Sequence, residues 1–174
     1  MKCIAALFVL FAATLASAES APSFEFTDAE GAVLQLPAEQ EGIGLYLFWA
    51  SWCPYCRSLM PHLQSIADEY GDAVTIYALN FRDEDDPQGY LDQRGFGFHS
   101  MDNADDIAKT WGAHGTPAVY LVDDTGEIRF NLYELLIESP PGYDELNHGQ
   151  KAQRRAPLWA ARIRQSIDEL ISEG

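Results

Sequence analysis

Two cysteines two residues apart, Cys53-Pro54-Tyr55-Cys56, close an apolar run that begins at Gly44 and passes through Phe48 and Trp49. A run without polar alternation predicts a central strand buried on both faces. The residues after it have helical spacing, with Leu59, Leu63, Ile66, Ala67 and Tyr70 leading to Gly71, and Pro61 is expected to kink the helix. Pro54 suits the first helical position, where a missing N–H costs nothing. A C-x-x-C at a strand-to-helix junction puts its first sulfur over unpaired backbone N–H groups and the positive end of the helix dipole, and both favour a thiolate. The second thiol, one turn further in, can attack a mixed disulfide formed on the first.

The rest of the chain reads as a scaffold for this pair. Phe24–Thr27 and Val33–Leu36 alternate like strands across the turn sequence Asp28-Ala29-Glu30-Gly31, which predicts an N-terminal hairpin. Val74–Leu79 and Ala118–Val122 read as further buried strands, and the turn Asp123–Gly126 leads into an antiparallel partner over Glu127–Leu132. Asp86 and Pro87 form a cap and first-turn proline for a helix running to about Arg94. Phe96–Met101 suggests a short strand, and Asp102 or Asn103 a cap for a helix reaching Trp111 and stopped by Gly112. Residues 138–156 lose periodicity and read as a loop insertion. Pro157 then opens a last helix, 157–173, with Trp159, Ile163, Ile167, Leu170 and Ile171 in one stripe. The order predicts an α/β fold in which helices flank a central mixed β-sheet, with the C-x-x-C at the carboxyl end of a central strand.

Met1-Lys2, the apolar run Ile4–Leu15 and the small residues Ala16-Ser17-Ala18 match a secretory signal, cleaved after Ala18. The run is short for a membrane span, which needs about 20 residues; an uncleaved signal would instead anchor the protein. The expected organisation is a signal peptide over 1–18 and a single domain over 19–174. Cys3 leaves with the signal, so the mature chain keeps Cys53 and Cys56 alone. One close pair in an oxidising compartment reads as catalytic, because structural frameworks use several wider pairs. A net charge of −16 argues against nucleic acid and anionic membrane surfaces as partners.

Phe48–Cys56 followed by Pro61 resembles the active-site segment of the thioredoxin fold, and Gly115-Thr116-Pro117-Ala118 through Asp123 and Gly126 resembles its second signature. The hairpin, the Trp-Cys-Pro-x-Cys form and the signal narrow the resemblance to the exported TlpA/ResA/DsbE-like thiol–disulfide oxidoreductases. The likeness covers roughly Phe24 to Leu132 plus the last helix. It implies Cys53 as exposed nucleophile, Cys56 as resolving thiol, a redox disulfide Cys53–Cys56, and Pro117 as a cis-proline against that disulfide. It further implies that Thr116 offers its backbone to an extended substrate chain and that Trp52 shapes the docking surface. Protein thiols or disulfides are the implied substrates and a membrane-bound electron donor or acceptor the implied partner. The best-known task of such proteins is keeping apocytochrome c cysteines reduced. The chain departs from the pattern where relatives carry acids: Leu47 replaces a buried acid before the active site, and Leu59 a glutamate after the second cysteine.

Other readings weigh less. A structural zinc site needs four ligands, and His62, His99, His114 and His148 are scattered. Haem attachment needs histidine directly after Cys56, where Arg57 stands. His114, three residues before Pro117, is the one histidine that could approach the thiols. A purely structural bond between Cys53 and Cys56 closes too short a loop to stabilise much. Asp83–Asp86 reads as a solvated turn. The resemblance and the signal together imply a monomeric periplasmic protein-disulfide oxidoreductase, expected to act as a reductase, without cofactor or metal. A thiol oxidase that donates disulfides and a redox-silent binding module are the alternatives.

Overall fold

A computed structural model of the chain describes residues 19–27, 31–136, 139 and 142–173. The signal peptide expected over 1–18 lies outside the described residues. Among those described, no helix is long and apolar enough to cross a membrane.

The strand Ile43–Trp49 (β4) is the axis of the fold, and every residue in it is buried. Its side chains sort by parity onto two faces. Leu45, Leu47 and Trp49 enter a core with the helices Pro54–Tyr70 (α1) and His148–Glu173 (α4). Tyr46 and Phe48 enter a second core on the opposite face, with Phe26, Leu36, Ala108 and Trp111. The sheet has six strands in the order β1-β8-β7-β4-β5-β6. Val74–Asn80 (β5) pairs parallel to β4, and His99–Met101 (β6) parallel to β5. Ala118–Val122 (β7) runs antiparallel to β4, and Glu127–Asn131 (β8) antiparallel to β7. This is the mixed α/β sheet of a thioredoxin fold.

The hairpin forms where the alternation predicts it, as Phe24–Thr27 (β2) against Val33–Leu36 (β3). It makes its own two-stranded sheet and drives Phe26 and Leu36, both fully buried, into the second core. Glu19–Ser20 (β1) pairs with β8, a contact too short to leave a sequence signal. Asp86 caps Pro87–Arg94 (α2) by accepting the Gly89 N–H at 2.9 Å. Asp105–Thr110 (α3) starts later than expected: Ala104 is its N-cap, without a side-chain bond, and Asn103 takes a left-handed φ of 58°.

The final helix differs most from expectation. Residues 138–156 are not a loop throughout, because α4 begins at His148 and Pro157 lies inside it. Asn147 and Gln150 close its start reciprocally: the Gln150 N–H donates to Asn147 Oδ1 at 3.0 Å, and the Asn147 N–H donates to Gln150 Oε1 at 3.1 Å. The buried row Ala152, Ala156, Ala160, Ile163 and Ile167 then faces α1 without a break at the proline. Three alanines contribute little to an apolar stripe, so Pro157 looked like the beginning.

Candidate active site

The end of β4 turns into α1 through Ala50-Ser51-Trp52-Cys53, and hydrogen bonds fix that turn. The Cys53 N–H donates to the Ala50 carbonyl at 3.1 Å. Across the sheet end, Asp83 accepts the Ser51 N–H at 2.5 Å, the Ser51 hydroxyl at 3.0 Å and the Asn80 amide at 2.9 Å. The Trp52 indole N–H donates to the Arg82 carbonyl at 2.8 Å while its ring stays 53% exposed. Trp52, Arg82, Asp83, Glu84, Asp85 and Asp105 line an open cleft of about 600 Å³ beside the pair.

Cys53 is the N-cap of α1, with Pro54 in the first turn, and its sulfur accepts the Cys56 N–H at 3.2 Å. Helix ends leave such N–H groups unpaired, and a thiolate there gains from both the bond and the dipole. The Cys53 thiol also lies 3.5 Å from the Thr116 carbonyl, placed by the cis Thr116–Pro117 peptide. Hydrogen bonding from Cys56 is the main cause that brings the Cys53 thiol down to about 6, against burial, with Thr116 and the Cys56 and Tyr55 backbone adding. Burial pushes the Cys56 thiol well above its ordinary value, and the bond to Cys53 and the charge of Cys53 add to the rise. Two chemically identical groups one turn apart are thus set apart, the Cys53 thiol ionising far more readily than the Cys56 thiol.

The structure brings Cys53, Cys56 and Thr116 together, with Trp52 and Pro117 their neighbours in the chain. Both cysteines are free thiols in it, the reduced form of the expected pair. One expectation needs correction: Cys53 is not openly exposed but 2% accessible, held in the core cluster beside Ala50 and Cys56. Leu47 and Leu59 are fully buried, so the positions that carry acids in similar proteins are apolar here. His114 is exposed and joins the site through its carbonyl, which accepts from Arg82 Nη1 at 3.2 Å. Among the described residues no three His, Cys, Asp or Glu side chains gather as a metal site.

Sequence reading missed three groups. Asp83, taken for part of a solvated turn, is the acceptor that fixes Ser51; its position just past β5, at the sheet end that carries the C-x-x-C, was the available signal. Tyr133 accepts the Gly115 N–H at 2.9 Å, next to Thr116. Residues 143–159 pack on Tyr55: Trp159 and His148 hold its ring at 5.9 and 6.2 Å between centroids, and burial, with Tyr143 adding, pushes its hydroxyl up. Arg155 fixes Tyr143 in turn, with Nε donating to the Tyr143 hydroxyl at 3.1 Å and the guanidinium 4.8 Å over the ring. No short motif announces these contacts.

The thiol–disulfide oxidoreductase ResA of Halalkalibacterium halodurans is 32% identical to this chain over 63% of it and 64% of that protein. The thiol:disulfide interchange protein DsbE homolog of Paracoccus denitrificans is 33% identical over 51% of this chain and 49% of its own length. The chain thus spans between about half and just under two thirds of these relatives. The solution structure of a thiol:disulfide interchange protein from Bacteroides sp. superposes with a TM-score of 0.58 at 25% identity, covering 68% of this chain and 82% of that one. The family model that matches spans residues 18–131, well over half of the chain and including Trp52, Cys53, Cys56, Asp83, Thr116 and Pro117, and on that match the chain belongs to the AhpC/TSA family.

Proposed function

We propose that this protein is an exported thiol–disulfide oxidoreductase that reduces protein disulfides through Cys53 and Cys56. One observation carries the reading: Cys53 caps α1 with a thiol brought down to about 6, while burial raises Cys56 behind it. The Cys53 thiolate attacks one sulfur of a substrate disulfide; the substrate S–S bond breaks, and a mixed disulfide forms as the second substrate sulfur leaves as a thiolate. Cys56 then gives up its proton, which goes to that leaving thiolate, and attacks Cys53. The second substrate thiol is released, two electrons have passed to the substrate, and the protein holds a Cys53–Cys56 disulfide.

The extent of the Cys53 shift supports the reductase direction. A thiol near about 6 stands closer to thioredoxin, about 7, than to the strong oxidant DsbA, about 3.5. Resetting the oxidised pair needs a two-electron reductant, and a membrane-bound dithiol donor is the partner in this reading. The names of the relatives support disulfide exchange as the activity, and a disulfide in apocytochrome c is the substrate that the family resemblance suggests. The protein works as a periplasmic monomer in this account, without cofactor or metal, with Thr116 and Pro117 against the substrate backbone and Trp52 at its flank.

The test is reduction of a polypeptide disulfide by wild type and by Cys53→Ala. Loss of all activity in the variant is the expected result. No reduction by the wild type, with binding of the polypeptide unchanged in Cys53→Ala, would mean that the groove acts as a binding module and that the cysteines are idle. Cys56→Ala should accumulate the mixed disulfide on Cys53, visible as a mass increase equal to the substrate.

A further inference from the structure

The loop before Pro117 is held from two sides by residues outside the cysteine pair. On one side the Tyr133 hydroxyl accepts the Gly115 N–H at 2.9 Å and donates to the Gly115 carbonyl at 2.5 Å. A single hydroxyl therefore satisfies both backbone groups of a residue that has no side chain to brace it. Tyr133 is itself fixed: it lies in the 3₁₀ turn Leu132–Glu134, and its N–H donates to Asn131 Oδ1 at 3.0 Å. On the other side Arg82 Nη1 donates to the His114 carbonyl at 3.2 Å, while the Arg82 carbonyl takes the Trp52 indole N–H at 2.8 Å.

These contacts close a ring. It runs from Trp52 to Arg82, across to His114, along the chain through Gly115 to Thr116, and from the Thr116 carbonyl back to Cys53 Sγ at 3.5 Å. Cys53 adjoins Trp52, and Tyr133 braces the ring at Gly115. The exposed indole and the backbone edge at Thr116 are thus parts of one hydrogen-bonded frame, which Cys53 joins as the protonated thiol.

We propose that Tyr133 and Arg82 are positioning residues that clamp residues 114–116, so that the backbone edge at Thr116 is preorganised to receive an extended polypeptide flanking the target disulfide. A loose loop would lose backbone entropy each time an extended chain paired with it, and a loop already fixed avoids that cost. The clamp acts on substrate binding and leaves the thiol chemistry to the cysteines. Its preferred substrates are therefore disulfides within extended polypeptide segments, which can pair with the edge, over small-molecule disulfides, which cannot. The inference rests on the oxidoreductase reading above.

The experiment measures KM and kcat for reduction of insulin disulfides, together with the pH midpoint of Cys53 alkylation, in wild type, Tyr133→Phe, Arg82→Gln and Arg82→Lys. Tyr133→Phe keeps the half-exposed ring and deletes only the hydroxyl. It should raise KM by about tenfold with kcat within about twofold, and the alkylation midpoint should stay where wild type has it. Arg82→Gln should move KM in the same direction, and Arg82→Lys, which keeps a cationic donor, should recover part of the loss. An unchanged KM in Tyr133→Phe, or an alkylation midpoint that moves with the kinetics, would overturn the clamp while leaving the oxidoreductase reading intact. A wild-type protein that cannot reduce insulin would overturn both.

Discussion

Cys53 Sγ lies 3.2 Å from the Cys56 backbone nitrogen and accepts its N–H, so the helix that carries the Cys56 thiol also holds the charge of a Cys53 thiolate. The relationship makes a pH prediction. Cys53, brought down to about 6 chiefly by hydrogen bonding with the Cys56 side chain, with the Cys56 backbone N–H adding, should react with iodoacetamide along a titration centred near that pH. Cys56, raised by burial, should stay unmodified through neutral pH. Peptide mapping of the alkylated protein separates the two, and a single curve centred near the ordinary thiol value of about 8.5 would contradict the asymmetry.

The same shifts link stability to pH in the reduced protein. Cys53 has a folded value below its unfolded one, so the stability it adds is fully present above the unfolded value and is lost as pH falls through about 6. Cys56 has the opposite sign: its contribution is present below the unfolded value and is lost as pH rises beyond it. Denaturant midpoints of the reduced wild type against Cys53→Ser should therefore diverge from pH 6 upward. The difference should approach a few kcal/mol, roughly 3–4 by linkage, near pH 8.5. A gap independent of pH would show that Cys53 stabilises the fold by packing alone.

Asp83 should matter more than its place in an acidic turn suggests. Asp83→Ala leaves the buried Ser51 N–H and the Asn80 amide without this acceptor, while the Ser51 hydroxyl keeps Asp85 Oδ2 at 3.1 Å, at a cost of about 1–3 kcal/mol in unfolding free energy. Burial works against ionisation of this carboxyl, but the bonds from Ser51 and Asn80 outweigh it and hold it below the usual carboxylate range. Its contribution is thus present above the ordinary aspartate value and lost as pH falls through the lower folded one. Urea unfolding at pH 7 and at pH 3 checks both statements. Asp83→Asn, which keeps an oxygen acceptor, should lie between wild type and Ala.

The parts legible in the sequence are those with strong local rules. Alternation at Phe24 and Phe26 gave the hairpin, the unbroken run before Cys53 gave the buried central strand, and Pro54 and Asp86-Pro87 gave two helix starts. The site pair and the cis-proline segment were legible for the same reason, because each is a short motif. Hidden features depend on chain segments far apart. Asp83 reaches Ser51, and Tyr133 reaches Gly115, through sheet order and not through spacing. The start of α4 was missed although Asn147 and Gln150 have capping-box spacing, because Pro157 offered a more familiar first turn and the intervening buried residues are alanines.

The central claim, reduction of substrate disulfides by this pair, is tested most directly by the reduction potential of Cys53–Cys56 at equilibrium with glutathione across pH. The account predicts a value near that of thioredoxin, about −270 mV, and a pH slope that eases from about 59 to about 30 mV per unit once Cys53 ionises near pH 6. A value nearer about −120 mV would contradict it, since the disulfide would then be the high-energy form and the protein a donor of disulfides.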